Sequence, residues 1–496
     1  MAEGTSGKEI ERMTRLKKLT TGVPGLDLLT HGGIPEGRST LIAGRSGTGK
    51  SVMSLQIAAH LAATGTPTII LAVEETPEDM QETADSLGLG VSRLAEAGTL
   101  HVENISRPAE AATVVAGDYD LYGLAHRLDD LVQRKHARAV ILDSATALFS
   151  PRPPQETLRS HFFQLVSTFR QLGLTAAIIA ESPGDYGPLT TLGVEDYVCD
   201  LTIILRNIVD GGRRRRSIEV NKYRRSAHYK GEYPCTITTR GLAVFPLDAR
   251  DLPIQSAVER YSSGVQGLDE MTRGGWLRNS IIIVRGPTGS GKTMLAGLYA
   301  RAGAMRGETV VYYGFEETRP ILLRNYREIG MDMEPYIESR NLKVICRYPE
   351  ATSLEDLLID LRLGLEEMKP SLVVMDSISS IEHASSEKGF RQFIIGVAAI
   401  LREHGRSALI TQTVASSEMA QHAAPYLSTI ADSILTLDYS TEGYELDREM
   451  RVIKMRGSDH AQHPYRLAIE PGGLRVTKLT PDDEARRPER RCSRVN

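Results

Sequence analysis

The string Gly286-Pro287-Thr288-Gly289-Ser290-Gly291-Lys292-Thr293 limits what this chain can fold into more than any other, because an earlier copy reads Gly44-Arg45-Ser46-Gly47-Thr48-Gly49-Lys50-Ser51. Both satisfy the phosphate-loop pattern G-x-x-x-x-G-K-[ST] in full. Each follows a short apolar run ending in Gly (39–44 and 280–286) and opens a helix-like run (52–63 and 294–305), which is the context the motif requires. The glycines let backbone N–H groups turn toward phosphates. Gly44, Ser46, Gly47, Thr48 and Gly49, and likewise Gly286, Thr288, Gly289, Ser290 and Gly291, are therefore expected to cradle ATP. Lys50 and Lys292 would meet the terminal phosphates, and the hydroxyls of Ser51 and Thr293 would help to hold Mg2+. A chance glycine-rich turn accounts for one such match but not for two in the same context.

The duplication extends well beyond the loops. Thr21-Gly22-Val23-Pro24-Gly25-Leu26-Asp27 recurs as Ser263-Gly264-Val265-Gln266-Gly267-Leu268-Asp269, Gly32-Gly33 as Gly274-Gly275, and Glu74-Glu75 as Glu316-Glu317, all at the 242-residue offset that separates Lys50 from Lys292. Later features keep a shorter offset: 233 from Asp143 to Asp376, and 232 from Arg159 to Arg391, Lys222 to Lys454, Arg224 to Arg456 and His228 to His460. The first copy therefore carries nine to ten extra residues, expected as a surface loop within 102–122. Copies this long are domains, not solenoid repeats. The expected organisation is an N-terminal arm at 1–18, a first domain at 19–247, a polar linker at 248–260 holding Pro253, a second domain at 261–479, and a disordered tail at 480–496.

Within each copy, short β-branched runs (66–73, 139–142, 174–180, 201–205) alternate with helix-length segments (77–87, 123–135, 156–172). That alternation predicts an α/β fold, a mostly parallel sheet flanked by helices, extended by hairpin strands over 217–223 and 235–245. Aromatic residues are only 5% of the chain, so aliphatic and alanine packing should dominate the cores. A net charge of -4 gives no global attraction to nucleic acid, and four cysteines without C-x-x-C spacing (Cys199, Cys235, Cys346, Cys492) argue against a structural zinc and for a reducing compartment. Residues 1–19 lack an apolar signal core and no later run approaches the length of a membrane span, so a soluble cytoplasmic protein is expected.

Strand ends gather on one edge of a parallel sheet, beside the phosphate loop. Asp143 and Asp376 each close an apolar strand and read as Mg2+ aspartates, with a turn cap as the alternative. Glu74-Glu75 and Glu316-Glu317 follow strands; the first of each pair is expected to orient or deprotonate the attacking oxygen, the second to accompany it, and a solvated helix start is the alternative. Lys222 with Arg224, and Lys454 with Arg456, are spaced to share one face of a strand and could neutralise a γ-phosphate across a subunit boundary, unless they simply line a solvated edge. Only the second copy has adjacent aliphatic hydroxyls, Ser428 and Thr429, where the first has Asp196 and Tyr197. Thr429 with Asp432 also fits a helix N-terminal capping pair. The run Arg213-Arg214-Arg215-Arg216 reads as a solvated turn before it reads as a nucleic-acid patch.

These residues resemble the KaiC family of clock ATPases and autokinases, which are tandem RecA-like proteins. The resemblance rests on His31-Gly32-Gly33-Ile34-Pro35, Glu74-Glu75-Thr76-Pro77, the arginine run, Lys230-Gly231-Glu232-Tyr233-Pro234, Phe390-Arg391-Gln392-Phe393 and Lys454-Met455-Arg456-Gly457-Ser458. It implies a two-tiered homo-hexamer with ATP between subunits. The first tier would be a slow ATPase whose base matches Glu74. The second would be an autokinase whose base matches Glu316 and whose phosphorylated residues match Ser428 and Thr429. The segment 114–121 resembles the region near which KaiB docks in the family, so a KaiB-like partner on domain one is expected.

Two departures stand out. A third hydroxyl found before the pair in well-known members is Ala423 here, and the C-terminal segment that binds the KaiA activator is shortened, so KaiA dependence is not expected. Two rival readings use the same ATP sites. One is a RecA-type DNA recombination or helicase motor, disfavoured by the acidic charge and the lack of basic, aromatic-interleaved loops; the other is a nucleotide-gated scaffold with little turnover.

Overall fold

The computed structural model describes residues 16–105, 121–150, 152–210, 213–246, 259–415, 425–440 and 447–479. The chain divides into two compact units, Met1–Pro246 and Leu247–Asn496. Among the described residues each unit is built on one nine-stranded sheet. In unit one the order across the sheet is Gly241–Val244, Glu232–Thr238, Arg213–Tyr223, Leu201–Asp210, Ser39–Gly44, Thr175–Glu181, Ala139–Asp143, Thr68–Ala72 and Leu100–Asn104. Unit two repeats that order as Gly473–Lys478, Tyr465–Glu470, Asp447–Met455, Ser433–Ser440, Ile281–Gly286, Ser407–Thr413, Leu372–Asp376, Val310–Gly314 and Leu342–Cys346.

The strand that enters each phosphate loop lies in the middle, with a parallel partner on either side. All six residues of Ser39–Gly44, and of Ile281–Gly286, are buried, as expected for a strand covered by helices on both faces. Beyond Leu201–Asp210 and Ser433–Ser440 the pairing turns antiparallel, giving the expected hairpin extensions. Parallel strands ending on one edge bring Gly44, Ala72, Asp143 and Glu181 together: Ala72 registers with Asp143, and Gly44 with Glu181.

The strand Leu100–Asn104 pairs with Thr68–Ala72 as Leu342–Cys346 pairs with Val310–Gly314, so the 242 offset survives to Asn104. The helix Leu121–Lys135 already follows the 233 offset to Leu354–Met368. The extra residues of the first copy thus fall between Asn104 and Leu121, inside the expected 102–122, and 106–120 lie outside the described residues. Most of the expected linker, the tail and Ala423 lie outside them too.

The arginine run corrects another expectation. It is not a turn but the start of the strand Arg213–Tyr223, with Arg216 opposite Asn207 and Cys235, because the antiparallel ladder with Leu201–Asp210 runs out to Arg213 itself. Aliphatic residues dominate both cores; unit one adds Phe149, Phe162 and Phe169, and unit two adds Tyr261, Trp276, Tyr299, Tyr312 and Tyr326. No helix among the described residues is long and apolar enough to cross a membrane.

Candidate functional site

Each loop hands over to a fourteen-residue helix, Lys50–Ala63 or Lys292–Met305, whose N-cap glycine offers no side-chain cap, leaving the first N–H groups for an anion. Gly49 and Gly291 take φ of 105°, and Gly47 and Gly289 take 77° and 78°, a left-handed backbone that side chains disfavour. A Cβ on Gly44 would sit 2.5 Å from Leu205 O, and one on Gly286 2.4 Å from Leu437 O. Thr48 Oγ1 donates to Arg45 O at 2.8 Å, which closes the first loop. Lys50 Nζ reaches Arg45 O at 2.9 Å; Lys292 Nζ reaches Gly286 O at 2.9 Å and Pro287 O at 2.8 Å. Both amines therefore lie inside their loops. Burial lowers the pKa of each; Glu181, Asp143 and Glu74 oppose this at Lys50, and Asp376 and Glu316 at Lys292.

In unit one burial pushes the Asp143 carboxyl up to about 6, against a hydrogen bond with Ser51, with Glu75 and Glu74 adding to the rise. Its Oδ2 is buried without a hydrogen-bond partner among the described residues. Capping does not explain these aspartates, because the following turns are capped by Ser144, which accepts from Ala147 N, and Ser377, which accepts from Ser379 N. Nor do the glutamate pairs cap helices: Thr76 is the N-cap of Pro77–Ser86 and Thr318 that of Arg319–Glu328. In unit two the members of the pair separate. Glu316 accepts from Ser380 Oγ at 3.3 Å and faces Lys292, while Glu317 accepts from Asn325 Nδ2 at 3.0 Å. Sequence reading missed Glu181, which closes the strand Thr175–Glu181 beside Gly44 and adds a third carboxylate near Lys50. The apolar run 174–180 ends one residue before it, and the strand-end rule applied to Asp143 would have found it.

Asp376 is enclosed differently. Tyr312 OH donates to its Oδ2 at 2.6 Å, Thr411 Oγ1 to its Oδ1 at 2.5 Å, and Thr293 also hydrogen-bonds it. Burial still raises its pKa, with these bonds opposing.

The paired cations and paired hydroxyls, separate features in the sequence, meet in the structure. Ser428 and Thr429 lie in the last turn of the short helix Pro425–Ile430, Ser428 half-buried and Thr429 exposed. Lys454 Nζ donates to Ser428 O at 2.5 Å and Ala431 O at 2.8 Å, and Arg456 Nη2 to Thr429 O at 3.0 Å. In unit one Lys222 donates to Asp196 O, and Arg224 to Tyr197 O at 2.7 Å, the same arrangement without the hydroxyls. Thr429 is thus not a helix N-cap: it lies in the last turn, and Asp432 Oδ2 accepts from Ile281 N at 2.9 Å instead.

The residues fit a nucleotide with a divalent cation. Gly44 and Gly286 leave no space for a Cβ, Gly47, Gly49, Gly289 and Gly291 take the left-handed backbone, and each loop hydroxyl is hydrogen-bonded to its strand-end aspartate. No cluster of three or more His, Cys, Asp or Glu suited to a metal occurs among the described residues, so a cation here would draw most ligands from phosphates and water, as Mg2+ usually does. Fold and site together define the class: two tandem RecA-like P-loop ATPase domains. The KaiC ATPase family matches the chain twice, at residues 19–249 and 261–481. The chain is 38% identical over 462 residues to the circadian clock oscillator protein KaiC of Synechococcus elongatus, covering 92% of this chain and 89% of that one. It is 37% identical over 465 residues to the protein of the same name from Prochlorococcus marinus, covering 93% of each. The chain belongs to the KaiC ATPase family.

Proposed function

We propose that this protein is a cytoplasmic, Mg-ATP-dependent homo-hexamer whose first unit hydrolyses ATP and whose second phosphorylates Ser428 and Thr429, working as a circadian timer or signalling switch. The observation that carries the reading is the asymmetry around the paired cations: Lys454 and Arg456 hold a helix whose last turn carries two hydroxyls, where Lys222 and Arg224 hold Asp196 and Tyr197. Mg2+, when bound, would supply charge neutralisation on the phosphates. Thr293 and Asp376 would hold that cation, and Lys292 would meet the terminal phosphates. Glu316 takes the proton of the acceptor hydroxyl as its oxygen bonds to the γ-phosphorus and ADP departs. In unit one Lys50, Ser51 and Asp143 take the binding roles, and Glu74 orients water, so the products are ADP and phosphate.

Assembly completes the site. Phe163 and Tyr197 stand 62% and 65% exposed around a depression of about 560 Å³ lined also by Arg159, Arg170 and Arg224. A second copy seated there covers the aromatics and brings Arg224 to the neighbour's phosphates. A mixing experiment tests transfer between subunits. Glu316→Gln and Ser428→Ala/Thr429→Ala proteins, each inert alone, should incorporate labelled phosphate once their subunits exchange; no incorporation in the mixture sinks transfer between neighbours. The segment 114–121 is the proposed dock for a KaiB-like partner, without KaiA dependence. Deleting residues 108–120 should abolish ATP-dependent capture of such a protein, and unchanged capture removes the segment from that role.

A further inference from the structure

Asp376 lies in a hydrogen-bonded network that unit one lacks. Tyr312, 1% exposed, donates to Asp376 Oδ2. The Tyr326 hydroxyl, in a side chain 3% exposed, lies 2.9 Å from both Tyr312 OH and Thr293 O and donates its single proton to one or the other, and Thr411, wholly buried, donates to Asp376 Oδ1. The corresponding strand and helix positions in unit one are Ile70, Ala84 and Ile179, which have no hydrogen-bonding side chains, and Asp143 Oδ2 is left without a partner there.

The network is built into the packing. A Cβ on Gly297 would lie 2.4 Å from the Tyr326 ring, so this glycine, inside the helix Lys292–Met305, makes the room that Tyr326 fills. Glycine in a helix interior is unfavourable, which points to a local reason for it here. Unit one has the opposite arrangement, with Leu55 in the helix and Ala84 opposite.

We infer that Tyr312, Tyr326 and Thr411 are positioning residues for the second nucleotide site: Tyr312 and Thr411 fix both oxygens of the Asp376 carboxylate, and Tyr326 braces Tyr312 beside the loop residue Thr293, a support that unit one lacks. The inference rests on the reading of Asp376 as the residue that holds the divalent cation. Hydrogen bonds behind a carboxylate ligand set its orientation, and their loss commonly weakens metal binding by about 10- to 100-fold.

The full-length protein is titrated with Mn2+ in the presence of ADP and followed by electron paramagnetic resonance, with ADP affinity measured separately in chelator. Tyr312→Phe and Thr411→Val should each weaken one class of Mn2+ sites about tenfold. Thr411→Ser should restore it, the other class should hold, and metal-free ADP affinity should not move. Asp376→Asn is the control. If it weakens that class while Tyr312→Phe and Thr411→Val leave it intact, the inference is overturned and the reading of Asp376 stands. If Asp376→Asn itself changes nothing, both are overturned. An equal loss of metal-free ADP affinity in the Tyr312→Phe protein would show a packing role only, and would overturn the inference.

Discussion

Two glycines of the second loop are needed for different reasons. Gly286 has ordinary backbone angles, but its α-carbon lies so close to the neighbouring strand that a methyl group would meet Leu437 O at 2.4 Å. Gly291 has room, its nearest neighbour being Leu467 Cδ2 at 3.7 Å, but it takes φ of 105°. Gly286→Ala must therefore push backbone apart, at about 2–3 kcal/mol, whereas Gly291→Ala meets conformational strain alone, about 1 kcal/mol. Thermal denaturation should lower the unit-two transition more for Gly286→Ala; equal shifts would show that the close approach is not limiting. Both variants should also bind ATP less tightly, since each moves N–H groups in the cradle.

At the scale of elements, Glu308 shows how unit two ties its entry ribbon to the sheet. Its carboxylate accepts two 2.8 Å hydrogen bonds from Arg278 and one from Arg306, and both guanidiniums sit over the buried Tyr261 ring. Burial works against the charged form, but the arginine hydrogen bonds outweigh it and hold the carboxyl below its usual 4.5. A depressed folded pKa contributes stability above the unfolded value that is lost as pH falls through the folded one. Glu308→Gln should thus cost unit two about 1–2 kcal/mol at neutral pH, with the gap closing in the acid range. Denaturant melts of both proteins across pH would check this, and a gap that stays constant would refute the ionic account.

The phosphate loops, the strand-end aspartates and the duplicated sheet were legible in the sequence because each is local: a spacing, or an apolar run ending in an acid. The Tyr312–Tyr326–Thr411 network was not, since its members come from two strands and a helix and share no sequence pattern. For the same reason the joining of Lys454 and Arg456 to the Ser428–Thr429 helix could not be read from spacing alone. The arginine run was misread because turn-like composition says nothing of how far a hairpin extends.

Across the whole molecule, one topology carries two different sets of side chains around its phosphate loops. Unit one gathers Glu74, Asp143 and Glu181 around Lys50, with no hydroxyl pair beside Lys222 and Arg224. Unit two locks Asp376 in hydrogen bonds and offers Ser428 and Thr429 beside Lys454 and Arg456. If neighbouring copies complete these sites, the exposed face of unit one should be an assembly surface. Phe163→Asp, replacing an aromatic 62% exposed, should then lower the ATP-dependent mass seen by light scattering while circular dichroism is unchanged. An unaltered mass would remove Phe163 from the contact. The central claim is phosphoryl transfer by unit two to the Ser428–Thr429 pair of a neighbouring copy. Mass-spectrometric mapping of protein incubated with Mg-ATP, beside a Glu316→Gln control, tests it most directly. The account predicts phosphate on Ser428 or Thr429 that is missing from the control; ATP hydrolysis with neither residue modified would contradict it and leave a ring ATPase whose output is conformational.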